Sequence, residues 1–266
     1  MLLFTKRQRQ RYRARKNQRR IERLSKVETS PTNRSVGRVV SVMMTSKPDP
    51  QRGAKISSDY LSYMRPWWTT IDRVGLRGTV LHDGLPSGCV EAGTTDRIDF
   101  GMTEPSELPI LHDRHRIVRD YLQSIEDPLV FVTDISDVAF KRDPFELIER
   151  DNQQHRLFIG SEVTTIGDSR CLRQEMTDQF GTLHHAKRQV VNPGIIGGRR
   201  SDVITLLDRI VDCIEHLKDR LLNSDMSIIN KVVHDNYRPQ QLFTGFPLHS
   251  RFKKWEYGTD AAILHK

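Results

Sequence analysis

The strongest strand signal in the chain is LVFVT at residues 129–133, which runs directly into DISDV at residues 134–138. Five consecutive apolar or β-branched residues are typical of a strand that is buried on both faces. Asp134 and Asp137 would then lie just beyond a strand in the centre of a sheet. Mg²⁺ is commonly held by one or two carboxylates together with phosphate oxygens, and Mn²⁺ prefers similar ligands. The pattern therefore predicts a divalent cation at these two carboxylates.

Two other interpretations of these carboxylates stay open. In one of them, Asp134 caps a turn and Asp137 pairs with Lys141 or Arg142. A strand-end aspartate could also be the nucleophile of a phosphatase of the haloacid dehalogenase type. That chemistry needs a second acid two residues on and a Thr or Val four residues on. The chain has Ser136 and Val138 at those positions, so half of the pattern is met.

The rest of the chain alternates between strand and helix signals. An apolar, β-branched run at residues 39–44 predicts a buried first strand that opens into a loop at Thr45 and Ser46. Amphipathic spacing predicts helices at residues 111–123 and 202–222. Such alternation is typical of α/β proteins, in which ligands bind beyond the carboxyl ends of the strands. We therefore predict an α/β fold and expect Thr45 and Ser46 to meet a ligand.

The positive charge is concentrated at one end of the chain. The formal net charge is +8, yet residues 1–26 contain 11 Lys and Arg against one acid, and the remainder contains 31 basic and 33 acidic residues. Such a run repels itself and has few apolar anchors. We predict a basic arm and linker at residues 1–37, disordered or loosely helical, ahead of a folded domain at residues 38–266. Residues 6–26 could contact DNA, RNA or another polyanion, or form a solvated tail.

Composition argues against several classes of protein. No apolar run approaches the roughly 18 to 20 residues that span a bilayer, and the opening apolar run is too short for the core of a signal peptide. We therefore expect a cytoplasmic protein with no membrane span. Cys89, Cys171 and Cys213 are far apart and form no CxxC pair, so neither a zinc ribbon nor a disulfide framework fits.

Three further segments carry side chains that could bind a ligand. Asn192-Pro193-Gly194 leads into the helix at residues 202–222. Glycine permits close approach of backbone and ligand, and an Asn amide can both donate to and accept from hydroxyl groups, although a structural turn is the alternative. Asp225 stands at a predicted helix start, where it could be the N-cap. His265 follows the short apolar run at residues 261–264, near a chain end where side chains are usually exposed.

Taken in order, these segments resemble the GT-A glycosyltransferases, especially the family 8-like branch related to glycogenin. In that group a hydrophobic strand ends in a DxD-type metal motif, an Asn-x-Gly segment and an Asp-Gln-x-x-x-Asn-like helix follow, and a late His closes on the metal. The matching segments here are Asp134 with Asp137, Asn192 to Gly194, Asp225 to Asn230, and His265. The chain departs from the family in three places. Its motif is DxxD, with Ile135 at the first Asp position of the family, and Met226 replaces the usual Gln. Lys266 directly follows His265, whereas in the family Gly and Lys follow the late His a few residues on.

The resemblance implies a metal-dependent glycosyltransferase with a GT-A (Rossmann-like) fold, a mixed, mostly parallel sheet flanked by helices. It would move a sugar from a nucleoside-diphosphate sugar to a protein, a small molecule or a nucleic acid, with Mn²⁺ or Mg²⁺ holding the diphosphate. The implied roles are metal binding by Asp134, Asp137 and His265, nucleotide-sugar contacts by Thr45, Ser46, Arg116, Asp134, Asn192, Gly194 and Lys266, and catalytic roles for Glu162 and Asp225.

The alternative is a nucleic-acid-associated protein that uses its basic arm, or a DNA-modifying glycosyltransferase that combines both functions. The enzyme interpretation predicts that removal of residues 1–26 leaves nucleotide-sugar hydrolysis intact, whereas Asp137→Ala abolishes it. The nucleic-acid interpretation predicts salt-dependent binding of DNA or RNA that is lost with the same deletion.

Overall fold

The computed structural model describes residues 6–32, 36–48, 59–151, 153–220, 224–254 and 256–265. Its strands are β1 (Gly37–Met43), β2 (Arg77–His82), β3 (Ile98–Met102), β4 (Leu129–Thr133), β5 (Val138–Phe140), β6 (Leu157–Thr165), β7 (Gln189–Arg199), β8 (Leu242–Phe243) and β9 (Ile263–His265). Its helices are α1 (Lys6–Leu24), α2 (Tyr60–Val74), α3 (Ser87–Gly93), α4 (Ile110–Ser124), α5 (Phe145–Asp151), α6 (Arg170–Phe180), α7 (Arg200–Glu215) and α8 (Met226–Asn236). None of the described helices is long and apolar enough to cross a membrane.

Seven strands form one sheet in the order β3-β2-β1-β4-β7-β6-β8. Strand β1 runs parallel to both β2 and β4, and β2 runs parallel to β3. Strand β7 runs antiparallel to both β4 and β6, whereas β8 runs parallel to β6. The predicted α/β fold, a Rossmann-like, mixed and mostly parallel sheet flanked by helices, is confirmed. Strand β4 lies at the centre of this sheet, as its apolar sequence predicts.

The alternation of side chains along β4 explains its burial on both faces. Successive side chains of a strand point to opposite faces of the sheet. Phe131 belongs to a core cluster with Trp67 of α2 and Phe145 of α5, whereas Val130 belongs to a second cluster with Leu206 of α7. The rings of Phe131 and Phe145 lie 5.4 Å apart. Helices thus cover both faces of the strand. Asp134 follows directly at its carboxyl end.

A separate two-stranded sheet lies beyond the end of β4. Strands β5 and β9 pair antiparallel, with Val138 opposite His265 and Phe140 opposite Ile263. The pairing brings the end of the described chain next to the segment that follows β4. Two segments far apart in the sequence therefore become neighbours.

The basic arm is helical, and its last turn packs onto the domain. Ile21 and Leu24 are buried, and Leu24 shares a core cluster with Val27, with Ala139 of β5 and with Leu264 of β9. These few apolar side chains anchor one end of a helix whose overall composition predicts a disordered or loosely helical arm. The division of the chain at residue 37 stays a prediction.

Candidate active site

Three predicted metal ligands converge beyond the end of β4. Asp134 directly follows that strand, Asp137 directly precedes β5, and His265 ends β9. Each side chain offers one ligand atom, and the three atoms lie within 4.8 Å of one another. His265 Nε2 is 3.7 Å from Asp134 Oδ2. The register of β5 with β9, which sets Val138 opposite His265, is what joins the imidazole to the two carboxylates.

Gly194 of β7 permits this close approach. Its carbonyl accepts a hydrogen bond from the amide of Asp134 at 3.1 Å. A Cβ atom at this position would lie 2.8 Å from Asp134 Oδ2 and would overlap the ring of His265. Only glycine leaves room for the backbone to pass there. The absence of a side chain at Gly194 therefore allows Asp134 and His265 to lie close together.

The cluster suits a divalent cation. Two ligands on opposite sides of an ion bound at about 2.1 Å are about 4 Å apart, and the three groups need little movement to reach that spacing. Burial raises the pKa of Asp137, and the charge of Asp134 raises it further, which outweighs the opposing charges of Arg20 and His265. Asp137 is buried and Asp134 beside it is partly exposed; adjacent carboxylates repel one another, and a bound cation relieves that repulsion. The residues present therefore fit Mn²⁺ or Mg²⁺.

Arg114 of α4 ties the cluster to the start of α8. Its Nη1 donates to Asp134 Oδ1 at 2.8 Å, and its Nη2 donates to Asp225 Oδ2 at 2.7 Å. Burial would lower the pKa of Arg114, but the charges of Asp225 and Asp134 outweigh burial and raise that pKa. The guanidinium is therefore a fixed positive charge beside the cluster.

Asp225 is also bound by a histidine, and it stays ionised. Its Oδ2 lies 3.0 Å from Nε2 of His115. Burial would raise the pKa of Asp225, but the charge of Arg114 and the hydrogen bond from His115 outweigh it and lower that pKa. Burial lowers the pKa of His115, so the ring is neutral and donates from Nε2. Asp225 occupies the N-cap position of α8, yet its side chain makes no capping hydrogen bond within the described helix.

A cleft of about 530 Å³ lies over these residues. Such a volume is typical of small-molecule sites. Glu162 of β6 and Asn192 of β7 line it, and Asn192 Nδ2 donates to Glu162 Oε1 at 3.1 Å. Asn192 Oδ1 accepts from the amide of Gly194 at 2.9 Å. Further lining residues are Met43, Met44, Tyr63, Glu175, Met226, Phe252 and Lys253.

Thr45 and Ser46 follow β1 as predicted, but their polar groups are bonded to Asp83. The amide and Oγ1 of Thr45 lie 2.6 and 2.9 Å from Asp83 Oδ1. The amide of Ser46 donates to Oδ2 at 3.1 Å, and its hydroxyl donates to the same oxygen. The cleft lining at this strand end comes instead from Met43 and Met44. A contact of Thr45 or Ser46 with a nucleoside stays a prediction.

Of the two arginines, Arg114 lines the cleft, whereas a contact of Arg116 with the donor stays a prediction. The guanidinium of Arg116 donates from Nε to Asp113 Oδ1 at 3.0 Å and from Nη2 to the carbonyl of Glu104 at 2.8 Å. Residues two apart on an α-helix point about 200° apart around its axis. Arg114 is four residues from Val118, which also lines the cleft. The helical spacing therefore contained the signal that distinguishes the two arginines.

An arginine of the basic arm forms an ion pair with Asp137. Arg20 Nη1 lies 3.6 Å from Asp137 Oδ2. Lys141, one of the two expected partners, donates instead to the carbonyl of Thr259 at 2.6 Å. No local pattern in the sequence indicates the contact with Arg20, because it depends on how α1 packs. Lys266, for which we expect a phosphate contact, lies outside the described residues.

The fold and site define an α/β protein with an acidic, histidine-containing cleft at the end of its central strand. Comparison with models of known protein families gives no match, and comparison with curated proteins gives no significant one. The function has to follow from the chemistry of the cleft.

Proposed function

We propose that the chain is a metal-dependent glycosyltransferase, which moves a sugar from a nucleoside-diphosphate sugar to an acceptor. The convergence of Asp134, Asp137 and His265 beyond the central strand supports this most strongly. Open α/β sheets bind ligands beyond the carboxyl ends of their strands. In the GT-A glycosyltransferases that the sequence resembles, a metal motif and a late His take the corresponding places.

The diphosphate of the donor would lie against this cluster. Mn²⁺ or Mg²⁺, held by Asp134, Asp137 and His265, would neutralise the negative charge that develops on the departing diphosphate. Arg114 holds Asp134 through its 2.8 Å hydrogen bond and Asp225 through its 2.7 Å bond. Because these bonds are present before a ligand arrives, the charged groups need little rearrangement during the reaction.

The sugar and the acceptor would lie between β6, β7 and α8. Glu162 lines the cleft and is oriented by Asn192. Its carboxylate could bind a sugar hydroxyl or accept the proton of an acceptor hydroxyl. Asp225 is committed to Arg114 and His115, and its lowered pKa makes it a weak proton acceptor. Asp225 therefore suits a positioning role better than the role of a base.

Thermal unfolding in the presence of donors tests the proposal. The full-length protein would be heated with Mn²⁺ and each of a panel of nucleoside-diphosphate sugars and free nucleoside diphosphates. A ligand at about 100 times its Kd stabilises a protein by about 2.7 kcal/mol, so the right nucleotide should raise the Tm by several degrees. Asp137→Asn keeps the shape of the side chain and should lose this stabilisation. If no donor and no nucleoside diphosphate raises the Tm of the wild type, the proposal is rejected.

Binding of a nucleic acid is a second candidate function, and a feature of α1 favours it. Exposed Tyr12, Arg15, Lys16, Arg19 and Arg23 line one groove of about 530 Å³, together with the less exposed Arg20. Cationic side chains neutralise backbone phosphates, and an aromatic ring can stack on a base. Binding to a DNA or RNA oligonucleotide should then weaken with added salt and be lost in a Lys16→Glu variant. Binding that is independent of salt would reject it.

A further inference from the structure

Arg20 reaches the candidate metal site from a helix that the sequence presents as a separate arm. Its Nη1 lies 3.6 Å from Asp137 Oδ2, which is an ion pair beyond ordinary hydrogen-bond distance. Only 13% of the side chain is exposed. Its Nε and Nη2 atoms are buried and have no hydrogen-bond partner among the described residues.

The packing of α1 holds Arg20 at this place. Leu24, one turn further along the helix, is fully buried and shares a core cluster with Ala139 of β5 and Leu264 of β9. Strand β5 directly follows one candidate metal ligand, and β9 ends in another. The helix is therefore anchored to the same two strands that position the metal site, and its location there is not incidental.

A buried guanidinium with unused donors calls for an anionic partner. Arginine carries five N–H donors in a rigid fork, which matches the paired oxygens of a phosphate. Burial of polar groups without partners is unfavourable. Asp137 leaves much of the fork of Arg20 unused, because Nε and Nη2 have no hydrogen-bond partner among the described residues. Arg114 has both of its Nη atoms committed to Asp134 and Asp225, so Arg20 is better placed to take phosphate oxygens.

We propose that Arg20 binds the diphosphate of the donor, so that α1 is part of the donor site. The inference rests on the proposed function, because it takes the diphosphate of a nucleotide sugar as the ligand. It reverses the expectation from the sequence that residues 1–26 can be removed without loss of donor hydrolysis. The basic segment would then have two uses, with its last turns in the donor site and its exposed residues outside it.

Calorimetric titration of the full-length protein tests this role. The ligands are UDP, GDP, ADP and pyrophosphate, each with Mn²⁺, and the variants are Arg20→Gln and Arg20→Lys. Arg20→Gln should raise the Kd of the bound diphosphate about tenfold or more. Arg20→Lys should recover part of the loss, because it keeps the charge but not the fork. Arg65→Gln, which changes an exposed arginine of the neighbouring helix α2, is the matched control and should leave the Kd unchanged.

Titration with Mn²⁺ alone separates a ligand contact from structural support. Removal of the positive charge of Arg20 should leave Mn²⁺ affinity unchanged or increase it, because the guanidinium and the cation repel one another. A purely structural role would instead weaken the binding of Mn²⁺ and of diphosphate together and lower the Tm. That result would overturn the inference.

The other outcomes distinguish this inference from the proposed function. Equal diphosphate Kd values for the wild type and Arg20→Gln overturn the inference and leave the function standing. Pyrophosphate binding that depends on Arg20, without binding of any nucleoside diphosphate, keeps the diphosphate contact and rejects the nucleotide donor. Binding of neither ligand overturns both. Loss of oligonucleotide binding alone, with an unchanged diphosphate Kd, assigns Arg20 to a nucleic-acid surface and also overturns the inference.

Discussion

Asp83 and Asp137 both lie beyond parallel strands at the same edge of the sheet, but their surroundings have opposite effects on the pKa of each carboxyl. Asp83 accepts four hydrogen bonds from Thr45 and Ser46. Burial would raise its pKa, but these bonds outweigh burial and lower it. Burial and the charge of Asp134 raise the pKa of Asp137. Asp83 links two loops through hydrogen bonds that the protein itself supplies, whereas Asp137, beside a like charge, is the carboxylate for which we propose a bound cation.

The largest expected effect separates these two carboxylates. Asp137→Ala should reduce Mn²⁺-dependent hydrolysis of the donor at least about a thousandfold, or about 4 kcal/mol in the barrier, because a ligand of the cation is lost. Asp83→Asn should lower the Tm instead, since four accepted hydrogen bonds are weakened or lost. Steady-state hydrolysis and thermal unfolding of both variants check this. The proposed difference between the two carboxylates is contradicted if Asp83→Asn lowers the rate of hydrolysis and Asp137→Ala lowers only the Tm.

The next effect concerns the two arginines of α4. Arg114→Gln should destabilise the protein by about 3 kcal/mol, because Asp134 and Asp225 lose their shared buried partner. Arg116, whose side chain is 30% exposed, is the matched control. Arg116→Gln should cost less than about 1 kcal/mol, as is usual for partly exposed ion pairs. Urea unfolding of both variants measures the difference, and equal losses would contradict the assignment of Arg114 to the site.

Local patterns in the sequence predict much of the fold and part of the site. A strand covered by helices on both faces is apolar or β-branched along most of its length, so the run at residues 129–133 predicts the central strand. Asp134 and Asp137 follow this strand in the sequence, so they are expected near its carboxyl end. The Asn192 to Gly194 segment and His265 are candidates from their residue types, and the family resemblance supports them by their order. The structure brings Asn192 and His265 to the cleft that contains both carboxylates.

The hydrogen-bond and ion-pair partners of the site residues could not be predicted from the sequence, because they depend on tertiary packing. Thr45 and Ser46 have the right position for ligand binding, but the parallel pairing of Met43 with His82 brings Asp83 against them. Strand pairing of this kind has no signature in either strand alone. The contact of Arg20 with the site likewise depends on a few apolar residues within a strongly charged segment.

The imidazoles repeat the contrast between satisfied and ligand-facing groups. His265 belongs to the cluster of candidate metal ligands. His249 Nε2 accepts from the amides of Ser161 and Gly245 at 3.1 and 2.9 Å, and its Nδ1 donates to the carbonyl of Ser250 at 2.8 Å. Burial lowers the pKa of His249 to about 4. The folded protein therefore favours the neutral ring, since both nitrogens already have partners.

Because the folded protein favours the neutral ring of His249, its stability depends on pH. The contribution of His249 is complete above the ordinary pKa of histidine, about 6.5, and is lost as the pH falls toward about 4. We expect the loss to be about 2 to 3 kcal/mol of unfolding free energy. Urea unfolding across this range should show a shallower pH dependence for His249→Gln than for the wild type. His216→Gln, at an exposed histidine whose pKa is raised by Asp212, should not make the slope shallower, and an unchanged slope in His249→Gln would refute the assignment.

The smallest effect tests whether the closeness of the three candidate ligands matters. Gly194→Ala would place a methyl group against His265 and 2.8 Å from Asp134 Oδ2, so the ligands would have to move apart. We expect a loss of about 1 to 2 kcal/mol in stability and weaker Mn²⁺ binding by calorimetry. Gly88→Ala is the control, because a Cβ atom there meets nothing within 4 Å. If Gly194→Ala binds Mn²⁺ as the wild type does, the close spacing of the three groups is not needed for a cation. Their role would then be structural, like that of Asp83.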